Sequence, residues 1–120
     1  MKTMTVTLKR VYAEPAESDG TRILVDRLWP RGLTKEKARV DVWLKEIAPS
    51  AELRKWFNHE PSKWSEFKKR YWAEMSSNSE AVSALKKHVA NGKVTIVYGA
   101  KDEEHNDAVA IKQYLDKEHG

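Results

Sequence analysis

Two short stretches hold the residues whose types and spacing could do chemistry. In Val25-Asp26-Arg27-Leu28-Trp29-Pro30-Arg31-Gly32, an acid, two arginines and a tryptophan stand where an ordinary turn would carry Asn, Ser or Gly. Arg27 and Arg31 offer planar donor forks suited to a carboxylate or phosphate, with Asp26 to orient one of them or to act as a general base. Trp29 could stack on a ring or close over a ligand. The same residues also read as a structural brace, an internal Asp–Arg pair tightening the loop with Trp29 plugged into the core. The second stretch, Tyr98-Gly99-Ala100-Lys101-Asp102-Glu103-Glu104-His105-Asn106, adds Lys101, Asn106 and His105, a residue able to give or take a proton near neutral pH. It is no P-loop, for it holds one glycine and no phosphate cradle. Its acids would themselves occupy a positive helix end, with Asp102 as the N-cap.

Strands must position these residues. Thr21–Val25 is apolar on both faces, and so is Lys93–Tyr98 through Val94, Ile96 and Val97; both are expected inside the sheet. Met4 to Tyr12 alternates, with Met4, Val6, Leu8 and Tyr12 on one face, which predicts a half-buried strand at or near an edge. A turn-rich loop, Glu14–Gly20, follows it. Thr34 caps a short helix, Lys35 to Arg39, and Val40, Val42 and Leu44 alternate as a further extended segment. Ser50 caps a helix with Leu53, Trp56 and Phe57 inward, and Pro61 starts another whose stripe is Trp64, Phe67, Tyr71 and Met75. Ser79 caps a third, with Val82, Leu85 and Val89 inward and Asn91-Gly92 as a left-handed stop. A last helix, from about Asp102 to Lys117, turns Ala108, Ile111 and Leu115 to one side. The fold expected is α/β, a small mixed or mostly parallel sheet with helices packed on it, in a single domain spanning 1–120.

Composition narrows the function classes. The chain has no cysteine, which removes disulfides, thiol nucleophiles and thiolate metal sites. His59, His88, His105 and His119 show neither an HExxH pattern nor any paired spacing, so no metal site and no cofactor is implied. His59, between two helices, reads as a surface loop histidine. No nucleophile elbow frames a serine. The first residues lack the apolar core of a signal peptide and no run spans a membrane, so cytoplasmic residence without membrane association is the expectation. The net charge of +4 is mild and dispersed. The basic residues Lys63, Lys68, Lys69 and Arg70 interleave with Trp64, Phe67, Tyr71 and Trp72, but the aromatics fall at core spacing, so weak or no nucleic-acid binding is expected.

The motifs taken together resemble, almost end to end, the YeaO-like family, a domain of unknown function numbered 488. The matching stretches are Lys9-Arg10-Val11-Tyr12, Val25 to Gly32, Ala48-Pro49-Ser50 with Leu53-Arg54-Lys55-Trp56-Phe57, Trp64 through Tyr71, and Tyr98 to Asn106. The resemblance carries no established activity. Longer members of the broad family are similar at Asp26-Arg27 and at His105, which implies that these two loops belong to one crevice. Those members carry cysteines around the second turn, where this chain has Tyr98 and Glu104, so no thiol-based role carries over.

Two functions follow. In the first, a crevice at strand ends binds an anionic small molecule of nucleotide or phosphoester type and acts on it by acid–base chemistry. Arg27, Trp29, Arg31, Lys101 and Asn106 bind, and Asp26 and His105 are the catalytic candidates. In the second, a noncatalytic module binds nucleic acid or a protein through the basic helical face at Lys63–Arg70. The direction in which the basic side chains point separates them. Oligomeric state is open.

Overall fold

A computed structural model describes residues 5–119. Its strands β1 (Val6–Arg10), β2 (Thr21–Leu24), β3 (Val42–Trp43) and β4 (Val94–Tyr98) form one sheet ordered β1-β4-β2-β3, and every pairing is parallel. The architecture is thus α/β, with a wholly parallel sheet among the described residues. All five residues of β4 are buried, and Ile23, Leu24 and Val25 are sealed, as strands covered on both faces require. β1 lies at one edge, in keeping with its polar Thr7 and Lys9; Met4, assigned to the same strand by its alternation, lies outside the described residues. The segment around Val40–Leu44 contributes only the two-residue edge strand β3.

Helices α2 (Ala51–Phe57), α3 (Trp64–Ser76), α4 (Ser79–Ala90) and α5 (Asp107–His119) build the larger core. Ile23 and Val25 of the β2 segment and Val94, Ile96 and Tyr98 of β4 face it. The alternate residues Leu24 and Val97 face the other way, onto Val11, Trp29, Leu33 and Ala38 of the short helix α1 (Lys35–Ala38). Phe67 stacks on Phe57 with ring centroids 4.4 Å apart, and Trp64 and Tyr71 close the group at 5.6 and 5.7 Å. Phe57, Phe67 and Tyr71 are buried; Trp56 and Trp64 are only half-buried.

Thr34 and Ser50 cap α1 and α2 as their residue types predict. Four other helix ends differ. Pro61 falls in a 3-10 turn, Pro61–Lys63, ahead of α3. Ser79 is the first residue of α4, and Asn78 takes the cap position while its amide donates to the Glu46 carbonyl. After α4, Asn91 stays right-handed and Gly92 alone takes a positive φ. The largest difference is at α5, which begins at Asp107. Asn106 caps it, accepting the Val109 amide at 2.9 Å, whereas Asp102 accepts the Glu104 and His105 amides in a separate turn. Both are Asx residues able to cap, and the one followed by continuous apolar helical spacing takes the helix.

Candidate functional site

Because β2 and β4 are parallel neighbours, their C-terminal ends open on the same side, where open α/β sheets form ligand crevices. Asp26 follows β2 and Gly99 follows β4, and Asp26 Oδ2 accepts the Gly99 amide at 2.8 Å. A Cβ on residue 99 would stand 3.2 Å from that oxygen, so glycine permits the close approach. The flanking strands hold this join. Arg10 donates to the carbonyls of Ala100 (2.9 Å) and Gly99 (3.4 Å), and the Trp43 indole donates to the Asp26 carbonyl at 2.7 Å.

Beside the join lies a cavity of about 340 Å³. Asp26, Arg27 and Trp29 line it from the loop after β2, and His105, Asn106 and Asp107 from the approach to α5. Arg54 and His59 reach it from α2 and its following turn, and Phe57 and Phe67 supply an apolar wall. Five of the residues singled out in the sequence are thereby brought together. Arg31 and Lys101 are not: both are exposed and stand outside the lining, although the Arg31 carbonyl accepts the Tyr12 hydroxyl.

The Asp26–Arg27 ion pair of the brace reading does not form; Asp26 is spent on Gly99 instead. Among the described residues the guanidinium groups of Arg27 and Arg54 have no hydrogen-bond or ion-pair partner, whereas those of Arg10, Arg22 and Arg70 are all engaged. Trp29 packs edge-on against Trp43 at 5.5 Å, its indole N–H donating to the Leu33 carbonyl. Its N–H is thus already engaged within the protein. His105 precedes α5 rather than lying within it. Its Nδ1 is 2.9 Å from Asp102 Oδ2 and its ring stands edge-on to Trp64 at 5.4 Å. With Asp102 accepting from Nδ1–H, Nε2 is left for a ligand. The Glu104 amide, the His105 ring and the His105 amide hold the Asp102 carboxyl below its usual range.

Asp107 carried no distinguishing mark in the sequence, and His59, expected as a surface loop histidine, is exposed at the cavity rim. The Asp107 carboxyl lies within hydrogen-bonding reach of Asp26, and burial, followed by the Asp26 charge, pushes it well above the carboxylate range. Two like charges this close are avoided by keeping a proton on one. The close approach of the two carboxyls therefore favours retention of a proton on Asp107. His59 follows Asn58, and both are left-handed at φ +55° and +47°, which turns the chain sharply at the cavity rim. Among the described residues, no group of three or more His, Asp or Glu is placed to hold a metal ion.

The cavity thus gathers two guanidinium groups without a protein partner, two imidazoles, an acid pair and an apolar wall. No helix among the described residues is long and apolar enough to cross a membrane.

Comparison with known proteins agrees with the motifs. YeaO of Escherichia coli K12, an uncharacterized protein, is 40% identical over 112 residues, covering 93% of this chain and 97% of YeaO. The uncharacterized protein Rv3073c of Mycobacterium tuberculosis H37Rv is 39% identical over 110 residues, 92% of each chain, and so is Mb3100c of Mycobacterium bovis. No solved structure matches significantly. The family model described as the inactive DUF488-N3 subclade matches residues 5–120. With that match and relatives spanning nearly its whole length, the chain belongs to the DUF488 family as a YeaO-like member.

Proposed function

We propose that this protein binds a small anionic molecule in the cavity at the ends of β2 and β4 and does not turn it over. The observation that carries the reading is the convergence of Arg27 and Arg54, both without a protein partner, on one concave, partly apolar space with His59 and His105. A planar fork left open beside a pocket suits a carboxylate or phosphoester. The absence of turnover rests on chemistry and kinship. Asp26, the expected base, is engaged by Gly99 and Asp107, and the matching subclade is described as inactive.

The basic helical face supports the alternative less well. Lys68 lies over Trp64 and Trp72 at 5.4 and 5.6 Å, and Arg70 over Trp56 at 4.2 Å while paired with Glu66. Lys63 donates to the Trp56 carbonyl. These cations cover half-buried indoles and satisfy their neighbours, leaving little for a nucleic-acid backbone. Weak, salt-sensitive nucleic-acid binding is therefore the expectation.

A thermal-shift titration against inorganic phosphate, nucleotides, sugar phosphates and small carboxylates tests the reading. A binding anion should stabilise by about 2.7 kcal/mol at a hundredfold excess over its Kd. Arg27→Lys should weaken that response although the charge is kept, because the fork is lost. No response to any anion, or one unchanged in an Arg27→Ala/Arg54→Ala double variant, would overturn it.

A further inference from the structure

The cavity is not uniformly cationic. Besides Arg27 and Arg54 it is lined by Asp26, which follows β2, and by Asp107, the first residue of α5, the two acids being close enough to share a hydrogen bond. A ligand carrying only negative charge would set part of itself against the acid pair, and a purely cationic one would meet the arginines. A lining that holds both guanidinium and carboxyl groups suits a ligand that carries both charges. We propose that the cavity takes a small ampholyte, a molecule with a phosphate or carboxylate held by Arg27 and Arg54 and an ammonium seated on Asp26 and Asp107. This deepens the anion-binding reading and rests on it.

The volume of about 340 Å³ is at the lower end of small-molecule pockets, so the two groups are carried on a short skeleton. Phe57 and Phe67 give that skeleton an apolar wall, and the Trp29 ring borders it. The proton balance follows from the pair. Burial and the neighbouring Asp26 favour the protonated form of Asp107. An ammonium brings its own N–H donors and a charge that favours ionised acceptors, so its binding shifts Asp107 toward releasing its proton to solvent. Arg27, Arg54, His59 and His105 line the same cavity. Tyr71 of α3 lies near enough to Asp107, Glu74 and Asp26 to interact with their carboxyls, and its hydroxyl donates to the Ile47 carbonyl. Arg10 is held away on the Gly99 and Ala100 carbonyls. An ammonium on the pair is thus the added positive charge that draws the proton off.

The test is calorimetric titration of the full chain with two matched probe pairs, phosphoethanolamine against ethyl phosphate and β-alanine against propionate, in two buffers of different ionisation enthalpy at pH 7. The amine-bearing member of at least one pair should bind about tenfold more tightly, the gain expected of a charge-assisted hydrogen bond. Its binding should also release more protons than its partner's does. Asp107→Asn should abolish the extra proton and most of the preference while leaving the amine-free anion bound. Because the preference is read on the unaltered protein, a variant that fails to fold does not blunt the test. Equal binding within both pairs with no extra proton would overturn the ammonium subsite and leave the anion pocket standing. If none of the four probes binds, the ampholyte assignment falls; the pocket falls with it only if the wider anion panel also gives no response.

Discussion

Asp26 and Gly99, 73 residues apart in sequence, are joined by a carboxylate–amide hydrogen bond of 2.8 Å that ties the end of β2 to the end of β4. The bond takes up one carboxylate oxygen of Asp26 and ties the two strand ends at the mouth of the cavity. Asp26→Ala would leave the Gly99 amide without its partner and should lower unfolding free energy by about 1–3 kcal/mol. Asp26→Asn retains an acceptor oxygen and should lose less. Urea denaturation of the two variants checks the order.

Asp107 makes stability fall as pH rises. Its folded pKa is raised, so its contribution is fully present below the unfolded value near 3.8 and is lost as pH climbs through the folded one. Asp107→Asn removes that titration. Its melting temperature should change less between pH 5 and 8, a range of about three units chosen to span the carboxylate and neutral regions, than that of the parent. Parallel melting curves for parent and variant across that range would contradict the assignment.

Asp19 works in the opposite sense. Burial would raise its pKa, but hydrogen bonds from Lys9, the Ala16 amide and Arg22 outweigh it and hold the carboxyl at about 2. The stability it contributes is present above 3.8 and is lost as pH falls toward 2, an effect on the order of 2 kcal/mol. Asp19→Asn should flatten this acid limb. At neutral pH it should also cost about 3–5 kcal/mol, because the Arg22 guanidinium is left buried without its counter-charge.

Sequence patterning made the sheet interior legible for a physical reason. β2 and β4 are apolar on both faces, and only a strand covered on both sides needs that. Phe67, Tyr71 and Met75 lie at helical spacing and are buried on α3 as that spacing requires. The meeting of Asp26 with His105 around one cavity was legible through the family resemblance, and the parallel register supplies its geometry. Asp107 was hidden because Asp102 and Asn106 both look like caps, and only the fold chooses between them. Arg54 and His59 were hidden because they reach the cavity from a helix whose placement depends on packing. Arg31 and Lys101 were misplaced for the converse reason: adjacency in a loop does not set which way a side chain points.

Phe67→Ala should cost about 3–5 kcal/mol, since it removes the ring on which Phe57 and Trp64 stack and which also walls the cavity. Unchanged thermal unfolding would show that the aromatic group is not a core.

His59→Gly separates stability from binding. Glycine accepts the left-handed conformation at φ +55° without steric cost, so stability should hold or rise by up to about 1 kcal/mol. The anion-dependent rise in melting temperature should shrink, because an imidazole has left the rim. An undiminished response would remove His59 from the binding group.

The strand order also governs how the chain can be made. Among the described residues β4 is the sole partner of β1, pairing Val6 with Val94, and it also pairs with β2. A chain growing from its N-terminus carries β1 with an unsatisfied hydrogen-bonding edge until residue 94 and its successors appear. Contacts that close so long a loop form slowly and leave strand edges exposed to other chains meanwhile. The nascent protein is therefore most vulnerable to aggregation while the first three-quarters of it is already synthesised, and any fragment ending before Val94 is an orphaned edge rather than a smaller version of the fold.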